Sequence, residues 1–313
     1  MAHSVELRLG TRSSPLAMAQ AVEARARLCA AHGWPESAVE LVPVVASGDK
    51  VLDRPLAEIG GKALWTKELD AWLGEGRIDA AVHSMKDVET LRPDTLAIAA
   101  VLPRADVRDV LVGAASVADL PRGARVGTSA PRRAAQVLHA RPDCTIVPFR
   151  GNVATRLAKL KAGEADATLL AAAGLGRLGE SAVGTPLDCD AWLPAPAQGA
   201  IGIESRADDT RTQKLLAAID DHASHVQIMA ERALLAALGG TCHSPIAMLS
   251  SLEGDRLTLR AALFSPDGAE RVESSATFAL ADHGAPAALA CDLLGRASPA
   301  ITAHFDGPHD HRP

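Results

Sequence analysis

Two arginine-bearing segments of this sequence have the composition of an anion-binding site. In residues 127–133 and 149–156, a β-like run meets Gly, Thr, Ser or Asn and then a helical pattern, so the arginines gather at predicted helix N-termini. Helix N-termini attract anions, because their N–H groups are free and the helix dipole is positive there. We therefore predict a ligand rich in carboxylate or phosphate, bound by planar guanidinium groups. Ordinary solvated charges at helix starts are the alternative.

A polar quartet directly follows the apolar run that ends at Val82. It consists of His83, Ser84, Lys86 and Asp87. The carboxyl ends of strands are where open α/β sheets bind ligands. Asp87 is the candidate catalytic group, because a carboxylate can stabilise a developing cation and move protons. Lys86 is placed either to pair with an anionic substrate or to form a surface salt bridge with Asp87.

Cys242 lies in the sequence Gly-Gly-Thr-Cys-His-Ser-Pro, which predicts a tight turn between a long helix and a strand. A thiol on such a loop could be a nucleophile or a covalent anchor, and His243 could help to form the thiolate. A buried, small apolar side chain is the alternative. The five cysteines are odd in number and include no C-x-x-C pair, which argues against a disulfide framework and a cysteine-based zinc site. We predict no bound metal.

Two further segments have the composition of ligand-binding loops. Residues 10–15 form another strand-to-helix junction, with Arg12 and Ser14 as anion donors, although Ser14 could serve only as a helix cap. Residues 47–62 are polar and punctuated by glycine, and they lie between a strand and a helix. Such a loop can act as a lid, in which Asp49 and Lys62 are the candidate residues, or it can be passive and mobile.

The pattern of apolar runs predicts the elements that position these residues. In the first part of the chain, strands at 6–10, 39–45, 80–83 and 96–101 alternate with helices at 15–30 and 64–75. A second series has strands near 110–112, 124–127, 145–149 and 167–170, and helices at 131–139 and 153–161. Then follow a strand at 201–204, a helix at 222–238, strands at 246–251, 257–264 and 272–278, and a helix near 286–296. This order predicts two α/β domains and a small C-terminal α+β domain.

Composition narrows the class of protein. The 313 residues are 48% hydrophobic and 22% charged, which is typical of a globular protein. The net charge of −6 argues against a general nucleic-acid binder, and an aromatic content of 3% without tyrosine argues against base-stacking surfaces. No stretch predicts a membrane span or a secretory signal, so we expect a cytoplasmic protein without a membrane partner.

Several of these motifs occur together, in the same order, in one enzyme family. The matching motifs are His83-Ser84-Met85-Lys86-Asp87, Gly127-Thr128-Ser129, Arg132-Arg133, Arg150-Gly151-Asn152, Arg156, Ala173-Gly174-Leu175 and Gln198-Gly199-Ala200. From Arg8 to about Pro245 the sequence thereby resembles the porphobilinogen deaminases, also called hydroxymethylbilane synthases. Beyond Pro245 the similarity lies in length and pattern more than in residues.

The resemblance implies a fold and an assembly. Three domains are expected, the first two with a type II periplasmic-binding-protein fold. Domain 1 would comprise residues 1–103 and 200–220, domain 2 residues 104–199, and domain 3 residues 221–313. The resemblance also implies a monomer.

The resemblance further implies a transferase that uses a dipyrromethane cofactor attached by a thioether to Cys242. Four porphobilinogen molecules would be condensed head to tail with loss of ammonia, and water would release hydroxymethylbilane. Asp87 would contact pyrrole N–H groups, stabilise the azafulvenium-type cation and assist proton transfer. Each pyrrole carries an acetate and a propionate, so the arginines would bind a growing polyanion.

Other residues take their expected roles from the same resemblance. The cofactor would contact Lys86, Asp87, Ser84, Thr128, Ser129, Arg132, Arg133, Arg150 and Gly151. The substrate would contact Arg12, Ser14, Arg150, Arg156, Arg177 and Gln198. The chain departs from the family pattern at Trp65, Glu89 and Thr241, where phenylalanine, proline and glycine are common.

Two other functions explain parts of the pattern. A non-enzymatic carboxylate-binding protein of the periplasmic-binding-protein type would account for the α/β domains and the arginines, but it would not need Cys242 or Asp87. A cysteine hydrolase would use Cys242 and His243, although neighbours on an extended segment point to opposite faces.

Overall fold

The computed structural model describes residues 5–45 and 66–307. Contacts between residues divide the chain into two units. The first comprises Met1–Ala105 and Gly199–His225, and the second comprises Asp106–Gln198 and Val226–Pro313. The chain therefore passes between the units three times. The predicted three domains, with the bounds given above, stay a prediction.

The first unit contains a five-stranded mixed sheet. Its elements, numbered along the whole chain, are β1 (Leu7–Arg12), α1 (Pro15–His32), β2 (Val39–Val44), α2 (Lys67–Gly74), β3 (Ala80–Ser84), β4 (Leu96–Val101), β10 (Ile201–Arg206) and α6 (Thr210–Ala217), with short 3-10 helices at Glu36–Ala38 and Met85–Asp87. The strand order is β2-β1-β3-β10-β4. Strand β1 is parallel to β2 and β3, whereas β10 is antiparallel to β3 and β4. The carboxyl ends of β1 and β3 therefore lie at one edge of the sheet.

Helix α1 begins and ends at residues that are typical of helix termini. The Ser14 hydroxyl accepts a hydrogen bond from the backbone N–H of Ala17 at 3.3 Å, and Pro15 occupies the first turn, where no N–H is needed. Gly33 ends the helix in the left-handed region, with φ of +67°. The buried face of α1 joins the apolar core of the sheet, which includes Ala21, Ala24, Leu28, Leu7 and Leu9.

The second unit contains a further five-stranded mixed sheet. Its elements are β5 (Asp109–Val112), β6 (Arg125–Gly127), α3 (Pro131–Ala140), β7 (Thr145–Val147), α4 (Val153–Lys161), β8 (Ala167–Ala171), α5 (Ala172–Arg177) and β9 (Thr185–Pro186). The strand order is β7-β6-β8-β5-β9. Strand β6 is parallel to β7 and β8, and β5 is antiparallel to β8 and β9. The ends of β6, β7 and β8 consequently share one edge.

The rest of the second unit is a three-stranded antiparallel sheet with helices. Its elements are α7 (His222–Ala237), which starts in the first unit, β11 (Ile246–Glu253), β12 (Arg256–Phe264), β13 (Arg271–Ala279), α8 (Ala285–Arg296) and α9 (Pro299–Thr302). The strands pair in the order β11-β12-β13. Alternate residues of β12, such as Leu257 and Leu259, are buried against Leu289 and Leu293 of α8, as the period-two pattern requires.

The predicted fold class, two α/β sheets followed by a small α+β sheet, is confirmed. Helix α5 is not among the elements predicted above, and burial of Leu175 offsets the low helix propensity of its two glycines. One predicted strand boundary is wrong. Strand β7 ends at Val147 and not at Phe149, since Pro148 cannot donate to a ladder. Within residues 5–45 and 66–307, no helix has the length and apolarity needed to cross a membrane.

Candidate functional site

A pocket opens in the first unit where β1 and β3 end. Its walls come from the end of β1, the first turns of α1 and the segment that follows β3: Arg12, Ser14, Leu16, Ala17, Gln20, Val82, His83, Ser84 and Asp87. Arg12 is the last residue of β1, and Ser84 is the last residue of β3. The parallel pairing of these strands brings the predicted residues Arg12, Ser14, Ser84 and Asp87 together.

The wall formed by α1 is suited to a carboxylate. Helix α1 presents its N-terminus to the pocket, and half-buried Arg12 adds a cation there. The side-chain amide of Gln20 donates to Ser84 Oγ at 3.0 Å. Gln20 is thus a site residue that the sequence did not indicate, because a residue on the buried face of a helix is expected to pack in the core.

Asp87 ends a short 3-10 helix, Met85–Asp87, that turns the chain at the end of β3. The backbone N–H of Met85 donates to the carbonyl of Ala200 at 3.1 Å, and Met85 is almost fully buried. Its thioether occupies the space beside Gly202, where an added Cβ would lie 2.0 Å from Met85 Sδ. This packing holds Asp87 at the pocket, with its side chain half-buried. Lys86 is half-buried beside it and is not among the pocket-lining residues.

A buried ion-pair network lies behind the pocket. His83 Nε2 lies 3.1 Å from Glu204 Oε2, and the Arg92 guanidinium contacts both oxygens of Glu204. Burial raises the pKa of Glu204, but His83 and Arg92 overcome that effect and lower it to about 2. Glu204 is therefore ionised at any physiological pH. No local pattern in the sequence indicates the pairing of Arg92 with Glu204, which lie 112 positions apart.

The second unit also places predicted site residues at one edge of its sheet. Thr128 and Ser129 follow β6, Arg150 and Gly151 follow β7, and Arg177 ends the helix that follows β8. Arg150 and Arg177 are half-buried. Because β6, β7 and β8 are parallel, these segments share the carboxyl edge of the sheet. Such an edge is a typical ligand-binding position in α/β sheets.

The start of α4 has the geometry of an anion site. Asn152 caps the helix by accepting from the backbone N–H of Thr155 at 2.9 Å, and Gly151 adopts a φ of +106° that favours glycine. Half-buried Arg156 donates from Nε to the carbonyl of Gly151 at 3.0 Å. Ser129 Oγ donates to the carbonyl of Phe149 at 2.9 Å, which ties the loop after β6 to the loop after β7.

Arg132 and Arg133 differ from the other predicted arginines, because both are buried and paired within the protein. Arg132 Nη1 lies 2.7 Å from Asp109 Oδ2, and Arg133 Nη2 lies 2.6 Å from Asp109 Oδ1. Trp192 Nε1 and Gln198 Nε2 also donate to this carboxylate, at 2.9 and 3.0 Å. Burial raises the pKa of Asp109, but the two arginines hold it far below its ordinary range.

This cluster corrects the helix N-terminus prediction for Arg132 and Arg133, and it also gives Gln198, which the family resemblance assigns to the substrate, a partner within the chain. Arg132, Arg133 and Gln198 are each no more than 6% exposed, and the anion that they contact is Asp109 of the chain itself. The sequence did not reveal Asp109, because an acidic residue at the start of an apolar strand resembles an ordinary strand boundary. Whether the three residues also contact a bound cofactor or substrate stays a prediction.

Cys242 is exposed and lies in a turn fixed by its neighbours. The backbone N–H of Thr241 donates to Ser244 Oγ at 3.0 Å, and that hydroxyl donates to the carbonyl of His304 at 2.9 Å. Gly239 has φ of +65° and leaves no room for a Cβ against Gly307. Thr241 itself does not adopt a positive φ. Cys242 is thus exposed on a hydrogen-bonded turn, whereas Cys29 and Cys144 are buried and burial raises the pKa values of their thiols.

The predicted lid residues Asp49 and Lys62 lie outside the described residues. Among the described residues, no group of three or more His, Cys, Asp or Glu side chains could hold a metal ion.

Two of the solved structures that match this chain are periplasmic proteins of low sequence identity. A periplasmic His/Glu/Gln/Arg/opine family-binding protein from Silicibacter pomeroyi matches with a TM-score of 0.34 and 18% identity, over 68% of this chain and 88% of that one. A periplasmic binding protein of Salmonella typhimurium matches with a TM-score of 0.38 and 14% identity, over 72% and 96% of the two chains.

Comparison of sequences gives much closer relatives. The family model "Porphobilinogen deaminase, dipyromethane cofactor binding domain" matches residues 7–214, and "Porphobilinogen deaminase, C-terminal domain" matches residues 225–290. A porphobilinogen deaminase of Sphingopyxis alaskensis is 57% identical over 305 residues, which cover 96% of each chain. One of Paracoccus denitrificans is 52% identical over 295 residues, covering 93% of this chain and 94% of the relative. With both family models matched and these relatives more than half identical along nearly the whole length, the chain belongs to the porphobilinogen deaminase family.

Proposed function

We propose that the protein is a hydroxymethylbilane synthase, a transferase of tetrapyrrole biosynthesis that condenses four porphobilinogen molecules with loss of four molecules of ammonia and releases the product with water. The observation that carries this proposal is the family membership along nearly the whole chain. The pocket at the ends of β1 and β3 supports it, because the pocket combines a cation, a helix N-terminus and a carboxylate. A carboxylate-binding protein without catalysis would need only the first two.

In this proposal Asp87 is the catalytic residue. Porphobilinogen becomes cationic as its aminomethyl group leaves as ammonia, and a fixed carboxylate beside that charge lowers the barrier. Asp87 is half-buried, so part of its charge is shielded from water and acts more strongly than it would on an open surface. The same carboxylate can accept hydrogen bonds from pyrrole N–H groups and take up the proton that each coupling releases.

The substrate's acetate and propionate groups require cations at fixed positions. We assign this role in the first unit to Arg12, with Ser14 at the start of α1, and in the second unit to Arg150, Arg156 and Arg177. The half-burial of these arginines supports the assignment, since such a side chain keeps part of its surface open to a ligand. Lys86 and the hydroxyls of Ser84, Thr128 and Ser129 would add hydrogen bonds to the same anions.

Arg132, Arg133 and Gln198 would act in a different way. Two guanidinium groups and one carboxylate give the Asp109 cluster a net charge of +1. A buried positive cluster attracts a nearby carboxylate through its field, without direct hydrogen bonds. We therefore propose that this cluster supports ligand binding from inside the second unit.

The family match includes a domain named for binding dipyrromethane, and we propose that Cys242 carries this group through a thioether. When bound, dipyrromethane supplies the pyrrole carbon to which the first substrate unit is joined. The exposed thiol, on a turn held by Thr241 and Ser244, fits a covalent anchor that must be reached by a bulky group and then held in one place.

We further propose that the enzyme is a monomer and acts in the cytoplasm, and that Asp49 and Lys62 belong to a lid.

Intact-protein mass spectrometry with a matched pair of cysteine variants tests the function and the anchor together. The parent should carry one dipyrromethane and convert porphobilinogen to hydroxymethylbilane. The variant Cys242→Ser should lose both, while Cys291→Ser, which changes the other thiol described as exposed, should keep both. A parent without adduct and without turnover would contradict the proposed function. An active Cys242→Ser enzyme that retains the adduct would contradict the anchor alone.

A further inference from the structure

Arg92 lies in the segment between the Met85–Asp87 turn and β4, and its side chain is 9% exposed. Its donors contact Glu204 Oε1 at 2.8 Å and Oε2 at 2.9 Å, Asp70 Oδ1 at 2.6 Å, Glu89 Oε2 at 2.8 Å and Thr66 Oγ1 at 3.3 Å. These five contacts match the five N–H groups of a guanidinium. A lysine, with three donors on one atom, could not reproduce them.

The contacts of Arg92 join three elements of the first unit. Glu204 belongs to β10, Asp70 to α2, and Glu89 to the segment directly after Asp87. Strand β10 shifts register against β4 between Ile203 and Glu204. A β-bulge or similar irregularity at such a point can redirect a side chain. Glu204 is completely buried, so it needs the partners that Arg92 and His83 provide.

Both ends of the segment that carries Asp87 connect to this network. On one side, His83 at the end of β3 contacts Glu204 at 3.1 Å. On the other side, Glu89 accepts from Arg92 and also from Thr66 Oγ1, each at 2.8 Å. Asp87 therefore lies between His83 and Glu89, and both of these residues contact the Arg92–Glu204 ion pair.

We propose that Arg92 is a positioning residue for Asp87, acting through Glu89 and Glu204. It does not line the pocket, so it has no direct contact with a ligand bound there. Its effect is to fix the turn that aims the Asp87 carboxylate. The inference rests on the proposed function, because it assigns Asp87 the catalytic role.

Loss of Arg92 should therefore lower turnover and leave substrate affinity almost unchanged. In Arg92→Met the turn loses an anchor, and misplacement of a catalytic group by about 1 Å can cost on the order of 100-fold in rate. We expect kcat, divided by the amount of attached dipyrromethane, to fall about 10- to 100-fold. The KM for porphobilinogen should stay within about twofold, because Arg12 and the helix terminus are untouched. A purely structural role would reduce the folded fraction without changing kcat per attached cofactor.

A second pair of variants, at Glu89, tests whether the anchoring of the Asp87 turn affects turnover while Arg92 itself is kept. In Glu89→Gln the amide oxygen can still accept from Arg92 and Thr66, so kcat should remain close to that of the parent. In Glu89→Leu the anchor is lost at similar side-chain size, and kcat should fall several-fold or more. Glu89 is partly exposed, with 26% of its side chain accessible, so both variants should fold. Arg27→Met, which breaks a surface pair with Glu23 in α1, is the control and should match the parent.

The measurements are kcat and KM for purified holoenzyme, with the adduct quantified by mass spectrometry and folding followed by thermal denaturation. The proposal is overturned if Arg92→Met keeps the parent's kcat per attached cofactor, or if Glu89→Leu and Glu89→Gln are equally active. If Arg92→Met does not fold, the Glu89 pair decides. A parent that shows neither adduct nor turnover contradicts the proposed function, whereas an active parent with unaffected variants contradicts only the role of Arg92.

Discussion

The variant Asp109→Asn tests how much the buried ion pairs of the Asp109 cluster contribute to the stability of the fold. This change keeps the shape of the side chain and removes the charge that faces Arg132 and Arg133, which lie 2.7 and 2.6 Å from its oxygens. At charge separations of about 4 Å and an effective dielectric of about 20, each pair contributes about 4 kcal/mol of attraction before the cost of burial. Removing one partner of a buried ion pair typically costs about 3–5 kcal/mol, because the remaining charge stays buried. Two arginines lose their partner here, and they then repel each other.

We therefore expect Asp109→Asn to lower the free energy of unfolding by at least about 3 kcal/mol, a large part of the 5–15 kcal/mol that is typical of a folded protein. Urea denaturation followed by circular dichroism measures this difference. The control is Glu75→Gln, which removes the carboxylate of a well-exposed pair with Arg77, 3.6 Å apart, and should leave the midpoint close to that of the parent. If Asp109→Asn unfolds within about 1 kcal/mol of the parent, the cluster does not stabilise the fold as argued.

The dependence of this difference on pH follows from the sign of the pKa shift. The pKa of Asp109 is lower in the folded protein than in the unfolded chain, so its contribution to stability is fully present above the unfolded value and declines as pH falls. The gap between parent and Asp109→Asn should therefore be constant from pH 5 to 8 and should narrow below about pH 4, the ordinary pKa of an aspartate. A gap that widens as the pH falls would contradict the assignment.

Four further variants test the site. Asp87→Asn should lower kcat by about 10²–10³, as the loss of one electrostatic stabiliser commonly does, with KM little changed; near-normal turnover would assign the role to another group. Arg150→Leu should block cofactor assembly or the first addition, whereas Arg177→Leu should let partly elongated chains accumulate. Mass spectrometry of both variants after exposure to porphobilinogen measures the number of added pyrroles. The same adducts as in the parent, in both variants, would contradict these roles. Gly202→Ala should displace Met85 and cost about 1–3 kcal/mol by overpacking, measured by urea denaturation, and an unchanged midpoint would refute that packing.

The sequence predicts the order of elements well because each β-like run and each helical pattern is local. It also predicts which loops lie at the carboxyl edges of the sheets, since parallel strands bring their ends together, as Arg12 and Ser84 illustrate. It does not predict counter-ions. Asp109 lies 23 and 24 residues from its arginines, and Glu204 lies 112 residues from Arg92. Such pairs depend on which strands become neighbours, and no local pattern carries that information.

The two sheets place their buried carboxylates in the same way. In the order β2-β1-β3-β10-β4, the fourth strand is antiparallel to the third and carries Glu204; in the order β7-β6-β8-β5-β9, the fourth strand is antiparallel to the third and carries Asp109. Both of these strands begin within a few residues of a point where the chain passes between units.

A strand that arrives from another unit is not constrained in register by a short turn, and slippage by one residue would turn its side chains to the opposite face. A buried carboxylate can be stabilised by arginine in only one register, because any other leaves an unpaired buried charge. The ion pairs at Asp109 and Glu204 thus favour a single register for each of these two strands, and in the first unit the same pair also contacts the segment that carries Asp87.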